Sequence, residues 1–158
     1  MTTDRAAVDT TVLVYAHFPD SPHYAASVAL LEQARVPTAG LCLFPQMLTE
    51  FFAVATNPKR VTVPMSAVTA VAAIDHLLAF PGLALLPLPA DVAARWTALV
   101  RARPVIGRHV YDYQIAAAML AYGIGTVYTH NTRDFAPIPG ITAVAPPEPT
   151  AGRANGPV

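Results

Sequence analysis

Apolar positions along the chain fall into short continuous runs separated by longer segments in which they recur every three or four residues. The first run, Ala6-Ala7-Val8-Asp9-Thr10-Thr11-Val12-Leu13-Val14-Tyr15-Ala16, is broken only by Asp9 and two threonines. It reads as a strand with Asp9 at or near its end. Ser21-Pro22 predicts a helix start, a cap residue followed by proline at the first helical position. That helix extends to Ala34, with Tyr24, Val28 and Leu31 on its buried face and Glu32 solvated. A strand over residues 38–44 leads through Pro45 into a helix over 46–56. Asn57-Pro58 stops it, because the residue before proline resists the helical conformation.

Helices over residues 66–80 and 90–103, with Ser66 and Asp91 as caps, flank a strand over 83–86. A helix over 112–122 ends at Gly123, and strands follow over 126–129 and 141–144. We expect one domain over residues 1–147 and a disordered Pro, Gly and Ala tail over 148–158. Strands alternating with helices imply an α/β fold, a central parallel sheet with helices on both faces. Such sheets bind ligands at the carboxyl ends of their strands, near the point where strand order reverses.

Composition narrows the chemistry. With 158 residues, 54% apolar and only 13% charged, the chain has few charges to spare, and each carboxylate is informative. Ten basic and ten acidic residues give a formal charge of zero. That excludes an indiscriminate nucleic-acid binder but leaves room for a local basic rim. Cys42 is the single cysteine, so neither an internal disulfide nor a thiolate metal site is available, and it reads as a small core residue. Asp4 and Arg5 ahead of a run broken by Asp9 do not form a signal peptide. The longest uncharged apolar stretch, residues 115–128, contains two glycines and falls short of the ~20 residues a membrane span needs. A soluble, cytoplasmic protein is expected.

An ionised carboxylate inside an apolar element costs several kcal/mol, on the order of the buried-charge penalties, unless something compensates it. Asp9 therefore either caps the helix that follows or has partners elsewhere. Glu50 shares a helical face with Met47, Phe51 and Val54. Asp112 shares one with Ile115, Ala116 and Met119, its simpler reading being an N-cap. Asp134 follows the strand ending at Thr129, where an ordinary loop acid is the alternative. Asp4, Asp20, Glu32, Asp75, Asp91 and Glu148 fall in loops, at helix starts or on solvated faces. If Asp9, Glu50, Asp112 and Asp134 converge, they raise one another's pKa values until a cation resolves the conflict. With oxygen ligands alone, Mg²⁺ or Mn²⁺ is favoured over zinc, and that combination suits phosphodiester hydrolysis.

Val8-Asp9-Thr10-Thr11-Val12-Leu13-Val14-Tyr15-Ala16, Leu48-Thr49-Glu50-Phe51-Phe52, Asp112-Tyr113-Gln114-Ile115-Ala116-Ala117-Ala118 and Thr129-His130-Asn131-Thr132-Arg133-Asp134-Phe135 together resemble the PIN-domain family, and more narrowly VapC-type toxins of toxin-antitoxin pairs. The resemblance runs from about Ala7 to Pro147. It implies a PIN-like parallel sheet with flanking helices and a Mg²⁺-dependent endoribonuclease. Asp9, Glu50 and Asp112 would form the main acidic site, with Asp134 a fourth member acting through water. Thr10 and Asn131 would orient carboxylates or waters by hydrogen bonds. Two positions depart from the pattern: Thr11 stands where many relatives have asparagine or serine, and Tyr113 where a smaller residue is common. Neither replaces an acid, so they bear on substrate choice rather than mechanism. The resemblance also implies an antitoxin that covers the acidic pocket, and a homodimer.

Lys59, Arg60, Arg101, Arg103, Arg108, His109, His130 and Arg133 lie near the ends of elements leading into or out of the acids, where a basic rim would hold RNA phosphates. Arg108, Arg133 and His130 are the chosen contacts, against solvated charge as the alternative. His17, His23 and His76 have no metal-ligand spacing, and Trp96 and Leu99 read as core or interface. A phosphatase with Asp9 as phosphorylated nucleophile fits the same fold. Against it, Asp9-Thr10-Thr11 lacks a second aspartate, and the single lysine, Lys59, falls too early for a response-regulator receiver. A catalytically inactive binding module would have lost an acid, whereas all four are present.

Overall fold

A computed structural model describes residues 4–149; residues 150–158 of the expected tail lie outside them. Among the described residues, five parallel strands form the sheet: β1 (Ala6–Val8), β2 (Leu41–Leu43), β3 (Leu83–Leu85), β4 (Thr126–Tyr128) and β5 (Thr142–Val144), in the order β3-β2-β1-β4-β5. The helices among the described residues are α1 (Thr10–Tyr15), α2 (Tyr24–Gln33), α3 (Pro45–Ala55), α4 (Ala67–Leu78), α5 (Val92–Ala102), α6 (Val110–Ala121) and α7 (Thr132–Phe135). The chain steps outward from β1 to β3, then returns to the other side of β1 for β4 and β5. Right-handed crossovers then require α1 to α4 on one face and α5 to α7 on the other. Their packing agrees: α1 meets α2 and α3, and α3 meets α4, while α6 meets α5 and α7.

The two faces are sealed by Leu13, Leu30, Phe44, Met47, Phe51, Tyr113, Ile115, Met119, Phe135 and Ile138, all fully buried. The strand centres Ala7, Cys42 and Val127 are buried between them, with the Cys42 thiol pushed up to about 11 by that burial. Gly82, entering β3, lies against the turn that ends α2: its N–H donates to Ala34 O at 2.7 Å, and a Cβ there would meet Val36 O at 2.1 Å. Gly123 stops α6 with φ +70°, the left-handed conformation that suits glycine after a helix.

Several boundaries differ from those the pattern predicts. Ser21-Pro22 forms a separate turn, with Ser21 Oγ accepting the His23 N–H, and α2 begins only at Tyr24. Its buried face is Ala26, Ser27, Leu30 and Leu31; Leu31 is buried as predicted, but Tyr24 and Val28 are only half-buried, because the helix docks with Ala26, Ser27 and Leu30 inward. Ser66 caps α4 through the Thr69 N–H, as expected. Asp91 stands before α5 but turns its carboxylate to Arg95 instead of capping. Asp112 lies in the first turn of α6, which starts two residues early at Val110, so it is not the N-cap. Asp134 belongs to α7 rather than a loop. Among the described residues no helix is long and apolar enough to cross a membrane.

Candidate active site

The strand order reverses between β1 and β4, and there the candidate site lies. Val8 pairs with Tyr128, so the next residues on each strand, Asp9 and Thr129, stand side by side at the carboxyl edge. The Asp9 backbone still belongs to the sheet, its N–H donating to Tyr128 O at 2.9 Å, while its side chain caps α1 through the Thr11 N–H. Capping and site membership, alternatives at the level of sequence, are thus compatible. Asp9 Oδ2 accepts from the Thr11 and Thr129 hydroxyls, both at 2.8 Å, so a carboxylate only 6% exposed is held by neutral donors at one oxygen.

Glu50 comes from α3, which follows β2 directly because Pro45 takes the first helical position after Phe44. Packing of α1 on α3 brings Thr10 Oγ1 to Glu50 Oε2 at 3.0 Å, and Gln46, one turn earlier on α3, donates Nε2 to Glu50 Oε1 at 3.0 Å. Both Glu50 oxygens are therefore oriented by protein donors. The Gln46 amide keeps this direction although its Oε1 is buried without a partner among the described residues.

Asp112 reaches the same cleft from α6 and Asp134 from α7, two helices packed against each other. Asp9, Glu50, Asp112 and Asp134 all line one cavity of about 400 Å³, with Thr10, Thr11, Asn131, Arg60, Arg108 and His109 around them. Asp112 shows the consequence: burial first, then the charges of Asp9, Asp134 and Glu50, push its carboxyl up to about 7, with Arg108 pulling the other way. Four carboxylates lining one cleft, one of them harder to ionise there because of burial and then the charge of the other three, are a set of hard oxygen donors that fits a divalent cation.

Of the second group of predicted residues, Thr10 donates its hydroxyl to Glu50 Oε2. The Asn131 side chain makes no hydrogen bond among the described residues; its backbone N–H instead donates to Thr129 Oγ1 at 3.0 Å. His130 and Arg133 do not line the cleft. His130 turns to α2, its Nε2 2.8 Å from Ser27 Oγ and its ring beside those of His23 and Tyr15. Burial, then the charge of His23, lower its pKa to about 4, so it carries no positive charge for a phosphate at neutral pH. His23 is thus part of an aromatic cluster. Tyr113 is buried in the core and does not line the cleft.

Sequence reasoning missed Thr129 and Gln46 and discounted Thr11 for mechanism. Thr11 accepts the His130 N–H at 3.1 Å while donating to Asp9, so it joins β4 to the acidic site. The four-residue spacing of Gln46 and Glu50 was a usable signal. Nothing in the linear pattern marks Thr129, because its role comes from strand register.

A PIN domain family model matches residues 6–140. Among solved structures, the chain is similar to the Mycobacterium tuberculosis toxin VapC20, described as cleaving the sarcin-ricin loop, with a TM-score of 0.65 and 20% identity over 89% of this chain and 99% of that one. It is also similar to a chain of Rickettsia felis VapBC2, a complex bound to a promoter DNA fragment, with a TM-score of 0.61 and 18% identity over 89% and 97% of the two chains. A toxin-antitoxin complex from Klebsiella pneumoniae gives a TM-score of 0.58 and 22% identity over 90% and 98%. None of the curated protein sequences compared with the chain matches it.

Proposed function

The chain belongs to the PIN-domain family, and on that premise we propose that it is a divalent-metal-dependent endoribonuclease, the toxin of a toxin-antitoxin pair, using Mg²⁺ or Mn²⁺. The observation that carries this reading is the convergence of Asp9, Glu50, Asp112 and Asp134 on one open cleft, with Asp112 raised to about 7 by burial first and then by its acidic neighbours. The toxin role is supported by the likeness to VapC20 and to the two toxin-antitoxin complexes.

Asp112, Asp134, Asp9 and Glu50 would hold the cation, which when bound polarises a phosphate and acidifies an attacking water. The protein's own groups prepare the site. Thr11 and Thr129 lock the Asp9 rotamer, and Thr10 with Gln46 locks Glu50, so neither carboxylate has to reorganise when substrate arrives. Arg60 and Arg108, both on the cleft wall, supply positive charge that would hold backbone phosphates. The neutral net charge keeps this attraction local to the cleft. We assign the nuclease domain to residues 1–147. A partner protein presenting a cationic side chain would satisfy the same acids, and an antitoxin that covers the cleft acts by that complementarity. A homodimer fits this reading.

Purified protein incubated with total RNA and Mg²⁺ or Mn²⁺ is expected to cut it, and Asp9→Asn to lose at least about a hundredfold in rate, the scale of losing one preorganised electrostatic group. Equal cleavage by both proteins would remove the mechanism. Phosphate release from a small ester without RNA cleavage would replace it with the phosphatase reading.

A further inference from the structure

Among the described residues, the group of His, Cys, Asp and Glu whose ligand atoms all lie within 4.8 Å of one another is not Asp9, Glu50 and Asp112 but His109, Asp112 and Asp134. His109 and Asp112 are three residues apart, across the junction of a tight turn at Gly107–His109 and α6. This places His109 Nδ1 3.8 Å from Asp112 Oδ2 on one wall of the cleft. Asp134 enters from α7 against α6. The four acids are also unequally satisfied. Asp9 and Glu50 accept hydrogen bonds from Thr11, Thr129, Thr10 and Gln46, whereas the carboxylates of Asp112 and Asp134 accept none among the described residues. The demand for a cation is therefore greatest on the His109 side. His109 precedes α6 without capping it and its side chain is 53% exposed, so neither capping nor packing accounts for its position.

We propose that His109 is a nitrogen ligand to the metal ion held by Asp112 and Asp134, and that it tunes the cleft toward Mn²⁺ and later first-row ions over Mg²⁺. An all-oxygen set suits Mg²⁺, which gains little from an imidazole. Transition ions bind mixed nitrogen and oxygen sets more tightly in the Irving–Williams order. His109 is then the residue that separates this site from a purely acidic one. The inference rests on the proposed function only in requiring that the cleft take a divalent ion.

The test is pulsed electron paramagnetic resonance of Mn²⁺ on the full chain, beside His109→Gln and Asp112→Asn. Wild type is expected to show ¹⁴N modulation, and His109→Gln to lose it while still binding Mn²⁺ roughly tenfold more weakly, the scale of removing one ligating contact. Mg²⁺ affinity, read by competition, should change by less than about twofold because the oxygen ligands are intact. Asp112→Asn should abolish the ¹⁴N signal. Modulation that persists in His109→Gln, Mn²⁺ bound to wild type without it, or equal Mn²⁺ affinity in both proteins would overturn the assignment. Cleavage of RNA by wild type in Mg²⁺ is scored separately. Its absence beside a His109-dependent ¹⁴N signal sinks the nuclease and keeps the ligand, while cleavage without that signal does the reverse.

Discussion

Asp112→Asn is expected to stabilise the ion-free protein at neutral pH while destroying its function. The folded state pushes the Asp112 carboxyl from its ordinary 3.8 up to about 7. It therefore holds this proton more tightly than the unfolded chain does. Stability from the group is complete below pH 3.8 and is lost as pH rises through the window from there to about 7. A rise of this size is a thousandfold change in proton affinity, or ~4 kcal/mol at about 1.4 kcal/mol per factor of ten. Because the side chain is 22% exposed, water screens part of the effect, and we expect roughly 2 to 4 kcal/mol. Asparagine is neutral throughout and escapes the loss. Urea unfolding in EDTA at intervals from pH 4 to 8 reads the difference, variant minus wild type. It should start near zero and open in favour of the variant up to pH 7. Taking the difference removes the opposing contribution of His130. A divalent ion at a hundred times its Kd should add about 2.7 kcal/mol to wild type at pH 8 and far less to the variant. A variant no more stable than wild type at pH 8 in EDTA would refute the claim that burial and the neighbouring acids hold the Asp112 proton in the folded protein.

Thr129→Val removes a hydroxyl donor from buried Asp9 and an acceptor from the Asn131 N–H, and should destabilise by about 2 kcal/mol in chemical denaturation while lowering RNA cleavage by ten- to a hundredfold; unchanged cleavage would leave Thr129 with a purely structural part. Gly82→Ala drives a Cβ into the Val36 and Ala34 carbonyls, and the melting temperature should fall by roughly 5 °C or more, with a fall under about 1 °C contradicting the close approach. His130, lowered to about 4, contributes stability that is present above its ordinary 6.5 and lost as pH falls toward 4. His130→Gln should therefore flatten the acid limb of the wild-type stability curve between those values, and an unaltered limb would remove the buried histidine as its cause.

The alternation of strand-like and helix-like segments was legible because a residue's fit to a strand or a helical face is local. The α3 stripe of Met47, Glu50, Phe51 and Val54 is an example, with Pro45 ahead of it. Boundaries were less legible where two local signals compete. Ser21-Pro22 satisfies a turn as well as a helix start, and only docking of Ala26 and Ser27 against the core decides that α2 begins later. His130 shows the same limit at the site. Its place near the end of an element leading into the acids suggested a substrate contact, but a side chain's direction depends on what packs around it, here Ser27, His23 and Tyr15.

By itself the sequence determined the class of fold and singled out four acids, Asp9, Glu50 and Asp112 because an ionised carboxylate among apolar positions is anomalous, and Asp134 because it follows a strand at the ligand-binding edge of the sheet. Only the tertiary structure decided how those acids are used. The pairing of Val8 with Tyr128 sets Thr129 beside Asp9, and the packing of α1 on α3 sets Thr10 against Glu50. The meeting of α6 with α7 leaves Asp112 and Asp134 facing His109. Register and packing join residues up to 120 positions apart, and a one-dimensional pattern carries no information about which of two distant polar groups will stand within hydrogen-bond reach.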